Sequence, residues 1–105
     1  EQMYKIKITE PAKKDIQSTI SYISNDLRNP TAAQNILNLF EKEIKSLSDM
    51  PSRHPLVKDP ALAQNGFRFI KVNNYLVFYT IREDRNIVMI QRILYGRRDW
   101  INLLK

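Results

Sequence analysis

Arg68, Arg92, Tyr95 and His54 are the side chains whose types could together carry a reaction. Cleaving RNA without a metal takes a group that removes the proton from the ribose 2′-hydroxyl, a group that protonates the departing oxygen, and fixed positive charge for the developing phosphorane. His54 and Tyr95 are the candidates for proton exchange. Arg68, Arg92, Arg97 and Arg98 are the candidates for charge, because a planar guanidinium matches phosphate oxygens better than an ammonium does. The stretch "RILYGRRDW", residues 92–100, gathers three of these arginines with Tyr95 and Trp100 at the end of an apolar segment.

Other chemistries lack their parts. With one histidine and no cysteine, the chain has no set of side chains for a zinc or thiolate centre, and no metal or cofactor is expected. Gly66 and Gly96 stand alone, so there is no glycine loop to cradle phosphates. A serine nucleophile would need His54 as its base, and no "GxSxG" accompanies it.

The charge is uneven. Residues 1–52 carry seven basic and seven acidic side chains, so the whole net charge of +6 lies in residues 53–105. Seven of the ten basic residues there are arginines. A nucleic acid, or an acidic protein, is the partner such a half would attract. No apolar run approaches the roughly 20 residues of a bilayer span, and no leader pattern opens the sequence; a soluble cytoplasmic chain is expected, with residues 1–105 forming one domain.

The elements that must position these groups follow from periodicity. "MYKIKIT" alternates as a half-buried strand. From Pro11, Ala12, Ile16, Ile20, Ile23 and Leu27 recur at helical spacing. "RNPT" breaks the pattern, and Ala33, Ile36, Leu37, Phe40, Ile44 and Leu47 form a second helical stripe. "GFRFIKV", "YLVFYTI" and "NIVMIQRILY" read as three strands, the middle one apolar enough to be buried on both faces. Asn73 and Asn74 make the first turn between them, and "REDRN" the second. "PSRHPLVKDPALAQN" is expected as a surface loop. The fold class is therefore α+β, in the order β-α-α-β-β-β: a twisted, mainly antiparallel sheet with a helical hairpin on one face and a short C-terminal helix.

This order, the "NYLVFY" strand after an "FR" strand, and above all "RILYGRRDW" resemble the RelE/ParE superfamily of bacterial toxins from type II toxin-antitoxin modules, across Tyr4 to Trp100. One branch of that superfamily cleaves mRNA on the ribosome; the other poisons DNA gyrase without cleaving RNA. Resemblance to the first branch implies catalytic roles for Arg68, Arg92 and Tyr95. Where its YoeB-like members have a glutamate before "PL", this chain has His54 in "RHPL", and where they place a histidine beside the terminal tyrosine it has Leu94. The "GRRD" ending and long hairpin match ParE-like members equally.

The leading expectation is a ribosome-dependent endoribonuclease acting on mRNA, with gyrase poisoning as the alternative and plain nucleic-acid binding third. A small acidic antitoxin is the implied partner in a hetero-oligomer, and Arg53, Lys58, Lys71, Arg97, Arg98 and Trp100 are the residues expected to meet nucleic acid or that partner. Each residue has a plainer reading. Tyr95 can finish a core face, Arg68 can be a snorkelling edge residue, His54 can be an exposed loop side chain, and Arg97, Arg98 and Asp99 can open the last helix. In a regular strand Arg92 shares a face with Val88, Ile90 and Leu94, opposite Tyr95, and the two converge only if the strand bulges.

Overall fold

The computed structural model describes residues 3–96 and 98–104. Strand β1 (Lys5–Ile8) leads into helix α1 (Glu10–Ser21), which Thr9 caps by accepting the Ala12 N–H at 3.2 Å, with Pro11 in the first turn where no internal donor is needed. The helix then loosens into a π-helical turn (Tyr22–Asp26), in which Leu27 N–H reaches the Tyr22 carbonyl at 3.0 Å. Arg28, with φ of 53°, reverses the chain. Asn29 caps helix α2 (Pro30–Ser46) through its side-chain oxygen on Ala32 N–H at 3.1 Å. The α2 stripe buries Ala33, Ile36, Phe40 and Ile44 as the spacing predicts, whereas Leu27, placed by periodicity on the α1 stripe, is 55% exposed because the π-helical turn breaks the 3.6-residue phase before it.

The remaining elements are a 3₁₀ turn (Pro51–Arg53), helix α3 (Pro60–Gln64), strands β2 (Arg68–Val72), β3 (Tyr75–Arg82) and β4 (Ile87–Tyr95), and helix α4 (Trp100–Leu104). The sheet order is β1-β4-β3-β2, with β1 parallel to β4 and the other pairs antiparallel. The α1–α2 hairpin covers one face, burying Phe40 and Ile44 against Ile70, Val77, Tyr79, Val88, Ile90 and Ile93.

The expected surface loop is more structured than its prolines imply. Asp59 caps α3 on Leu62 N–H at 3.1 Å with Pro60 opening the helix, and Val57 and Leu62 are buried with Phe78 and Leu94 on the second face of the sheet, where α4 also packs. Burial on both faces explains why Val77, Phe78 and Tyr79 are consecutive apolar or aromatic residues with no exposed member.

Strand β4 is not regular. Phe78 pairs with Arg92 but Tyr79 pairs with Ile90, so Gln91 is an extra residue that bulges the strand. The bulge resets the alternation: Val88, Ile90 and Ile93 all belong to the helical face, and Leu94 moves to the other. Gln91 stays tied in place, its carbonyl accepting the Thr9 hydroxyl at 3.0 Å and its amide donating to Thr80 at 3.0 Å.

Candidate functional site

The sequence-selected residues fall into three places. In the first, Arg68 opens β2 at the edge of the sheet, where Leu56 bridges to it, and its guanidinium turns back to the covering segment, donating to the Ser52 carbonyl at 3.2 Å and to the His54 carbonyl. Arg53 caps the C-terminal end of α2, donating to the Met50 carbonyl at 3.1 Å, the Ser46 carbonyl at 3.4 Å and the Asp49 carbonyl. A cation there meets the negative end of the helix dipole. The His54 ring stands edge-on to Tyr79 with centroids 6.5 Å apart. Partial burial, then the nearby Arg53, hold its pKa below the ordinary 6.5; Glu43 opposes and Arg68 adds to the depression. Tyr79 donates its hydroxyl to the Pro51 carbonyl at 2.6 Å, and burial pushes its pKa up to about 12. This corner therefore sets an imidazole of lowered pKa beside two guanidinium groups, Arg53 donating from both Nη atoms, mainly to backbone carbonyls, and Arg68 from Nη1 alone.

The second place is the opposite side of the sheet. Arg92 forms a two-point pair with Asp15 of α1, Nε to Oδ2 at 2.7 Å and Nη2 to Oδ1 at 3.0 Å. The carboxylate also accepts Ile93 N–H at 2.9 Å. Strand β1 stops at Ile8, opposite Ile90, and Asp15 satisfies the backbone of β4 just beyond that point. The hydrogen bond to Asp15 raises the Arg92 pKa above its ordinary value. Asp15 was not singled out from sequence; its one signal is a carboxylate one position before an apolar stripe residue, Ile16.

The third place is the end of β4. Tyr95 pairs in register with Tyr75, and their rings meet edge to face at 5.7 Å. Together with Tyr22, Leu27, Asn74 and Arg98 they line a cleft of about 860 Å³ between the π-helical turn, the start of α2 and the β2–β3 hairpin. Burial, the largest influence, raises the Tyr75 pKa. Tyr75 and Tyr22 carry no sequence signal that separates them from core aromatics.

From register, Arg68 and Tyr95 stand two inter-strand steps and four residues of strand apart, roughly 16 Å between backbones at ~4.8 Å per step and ~3.3 Å per residue. The structure brings His54, Arg53 and Arg68 together and leaves Arg92 and Tyr95 apart from them. Lys58, Lys71 and Arg98 are exposed, while Trp100 packs its ring 5.2 Å from Phe78 on the second face. Arg97 lies outside the described residues. Among the described residues no group of three or more histidine, aspartate or glutamate side chains is placed to hold a metal ion, and no helix is long and apolar enough to cross a membrane.

Comparison with solved structures gives the same architecture. The chromosomal ParDE toxin-antitoxin system of P. aeruginosa contains a chain that matches with a TM-score of 0.72 at 16% identity, over 90% of this chain and 98% of that one. The toxin-antitoxin complex RelBE2 of Mycobacterium tuberculosis matches at 0.61 and 18% identity, over 89% and 98%. A mutant of the E. coli toxin RelE in the free state matches at 0.62 and 14% identity, over 97% and 93%. No curated protein matches the sequence. The sequence itself is matched over residues 6–100, from β1 to the first residue of α4, by the family model described as the ParE toxin of type II toxin-antitoxin system, parDE. That span takes in the sheet, the helical hairpin and the bulged last strand, and the chain belongs to this ParE toxin family of the RelE/ParE superfamily.

Proposed function

We propose that this toxin arrests growth as a ParE-like, non-enzymatic inhibitor of DNA gyrase, held in check by a small acidic antitoxin. The observation that carries the reading is the Arg92–Asp15 pair: the arginine nominated for phosphate is already engaged by a carboxylate of α1, on β4, two strands from Arg68. Metal-free RNA cleavage needs base, acid and charge around one phosphate. Tyr95, Arg92 and the His54 corner occupy separate parts of the sheet, which weighs against that chemistry. Family membership points the same way. The antitoxin enters from the relatives, of which RelBE2 is a toxin-antitoxin complex, and from the +6 charge, which suits an acidic partner.

Ribosome-dependent RNA cleavage is the second reading, favoured by one observation, the placing of His54 beside Arg53 and Arg68. The two separate in a pair of assays on the purified toxin. With gyrase, ATP and supercoiled plasmid, the first reading gives accumulated cleaved plasmid, while mRNA in a cell-free translation reaction stays whole. Discrete cuts in translated mRNA with gyrase unaffected would overturn it in favour of the second.

A further inference from the structure

The described residues expose six large apolar or aromatic side chains, and three of them, Tyr22, Leu27 and Tyr95, line one cleft. Scattered singly, such residues need no account; gathered around a concavity they mark a contact surface. Its wall is also irregular in backbone. The π-helical turn carries Tyr22 and leads into Leu27, and it is closed by Arg28 in the left-handed region, a conformation that disfavours any side chain. Irregular turns of this kind are retained where they shape a working surface.

The lining says what chemistry would fit. It combines apolar Ile23, Leu27 and Ile36 with three tyrosines, the small polar side chains of Ser18, Thr19, Asn73 and Asn74, and Arg98. Among the described residues no aspartate or glutamate lines it, and the Arg98 side chain has no hydrogen-bond or ion-pair partner. A single-stranded nucleic acid would need several cations tracking its phosphates, and among the described residues Arg98 is the one cation in the lining. An apolar anchor with one carboxylate beside it matches the apolar and aromatic lining and the single cation, and leaves the hydroxyl and amide side chains to meet its backbone.

We propose that the cleft walled by Tyr22, Leu27, Tyr75 and Tyr95 receives an apolar side chain from an acidic segment of the antitoxin, whose neighbouring carboxylate pairs with Arg98. This rests on the reading of the chain as one half of a toxin-antitoxin pair, and moves the expected anchor from Trp100, on the second face, to the opposite face of the sheet.

The test measures binding of the small acidic protein encoded beside the toxin gene, by surface-immobilised kinetics. Leu27→Asp and Tyr22→Ser, both at exposed positions where folding tolerates change, each weaken binding by at least about tenfold, mainly through faster dissociation. Arg98→Glu slows association and flattens its dependence on salt. Met3→Ser, at an exposed apolar residue outside the cleft, leaves binding unchanged. Unaltered affinity in both cleft variants, with their thermal unfolding intact, overturns the docking site and leaves the toxin-antitoxin reading standing. Failure of the unaltered chain to bind the acidic protein overturns that reading and the docking site with it. Loss of oligothymidylate binding in the same variants, with antitoxin binding kept, assigns the cleft to nucleic acid instead.

Discussion

Asp15 holds Arg92 by two hydrogen bonds, at 2.7 and 3.0 Å, and with the same Oδ2 accepts Ile93 N–H at 2.9 Å. One carboxylate therefore joins α1 to the last strand at the place where β1 ends and the bulge at Gln91 has just disturbed the ladder. The pair is mostly shielded, with side-chain exposures of 24% for Arg92 and 13% for Asp15.

Removing the carboxylate leaves a partly buried guanidinium and a backbone N–H without partners, so Asp15→Ala is expected to cost about 2 kcal/mol. Arg92→Met costs less, about 1 kcal/mol, because Asp15 keeps the Ile93 N–H. Urea unfolding of both single variants and the double variant gives the coupling, expected at about 1 kcal/mol. A coupling near zero would mean that the pair does not fasten the helix to the strand.

Tyr79 is a second tie, between the buried centre of β3 and the Pro51 carbonyl at 2.6 Å. Tyr79→Phe keeps the ring and leaves that carbonyl unpaired, at a cost of about 1–2 kcal/mol. The phenol also predicts an alkaline effect. Its pKa is about 12 when folded and 10.0 ordinarily, so the unfolded chain gives up the proton first as pH rises. Its contribution is complete below pH 10 and is lost between pH 10 and about 12. Stability of the wild type should fall relative to Tyr79→Phe across that window, read from denaturation at matched pH values; parallel profiles would refute it.

Much of the scaffold was legible because it depends on local pattern. The alternation before Ile8, the two helical stripes and the fully apolar middle strand each state which faces are buried. Asp59 and Pro60 carried an ordinary helix-start signal that the surrounding prolines obscured. The site was less legible because its contacts are remote in sequence. Asp15 and Arg92 are 77 residues apart, and nothing in the strand pattern marks Gln91 as the extra residue that reverses the faces of Ile93 and Leu94. Arg53 and Arg68 read as phosphate seekers from composition alone, and only the fold reveals the backbone carbonyls that take up their donors.

His54 gives a prediction at acid pH. Its folded pKa lies below the ordinary 6.5 through burial and the nearby Arg53, so the unfolded chain binds the proton first. Stability then falls as pH drops below 6.5 and the penalty is complete once pH passes the depressed folded value. His54→Gln removes this term, so its stability should fall less than the wild type's between pH 7.5 and roughly pH 5, a window chosen to bracket the ordinary histidine pKa. Following the imidazole signal by NMR gives a direct check. A midpoint at or above 6.5 would show that neither burial nor the two arginines act on the ring.

Trp100 supplies the last prediction, because the sequence offered it as an anchor for a partner and the fold gives it another task. Its ring lies 5.2 Å from Phe78, tilted by 34°, among the side chains of α3, α4 and β4 that close the second face of the sheet. Ile101, Leu103 and Leu104 pack against the same buried cluster, so truncating the indole opens a void beneath a helix of five residues while the other three contacts remain. Trp100→Ala is expected to destabilise the fold by about 2 kcal/mol, below the range for a fully buried aromatic because the ring is half-exposed. At temperatures where the variant stays folded, its rate of dissociation from the antitoxin should match that of the unaltered chain. Faster dissociation with unchanged unfolding would return Trp100 to the partner interface and reverse the assignment of the two faces.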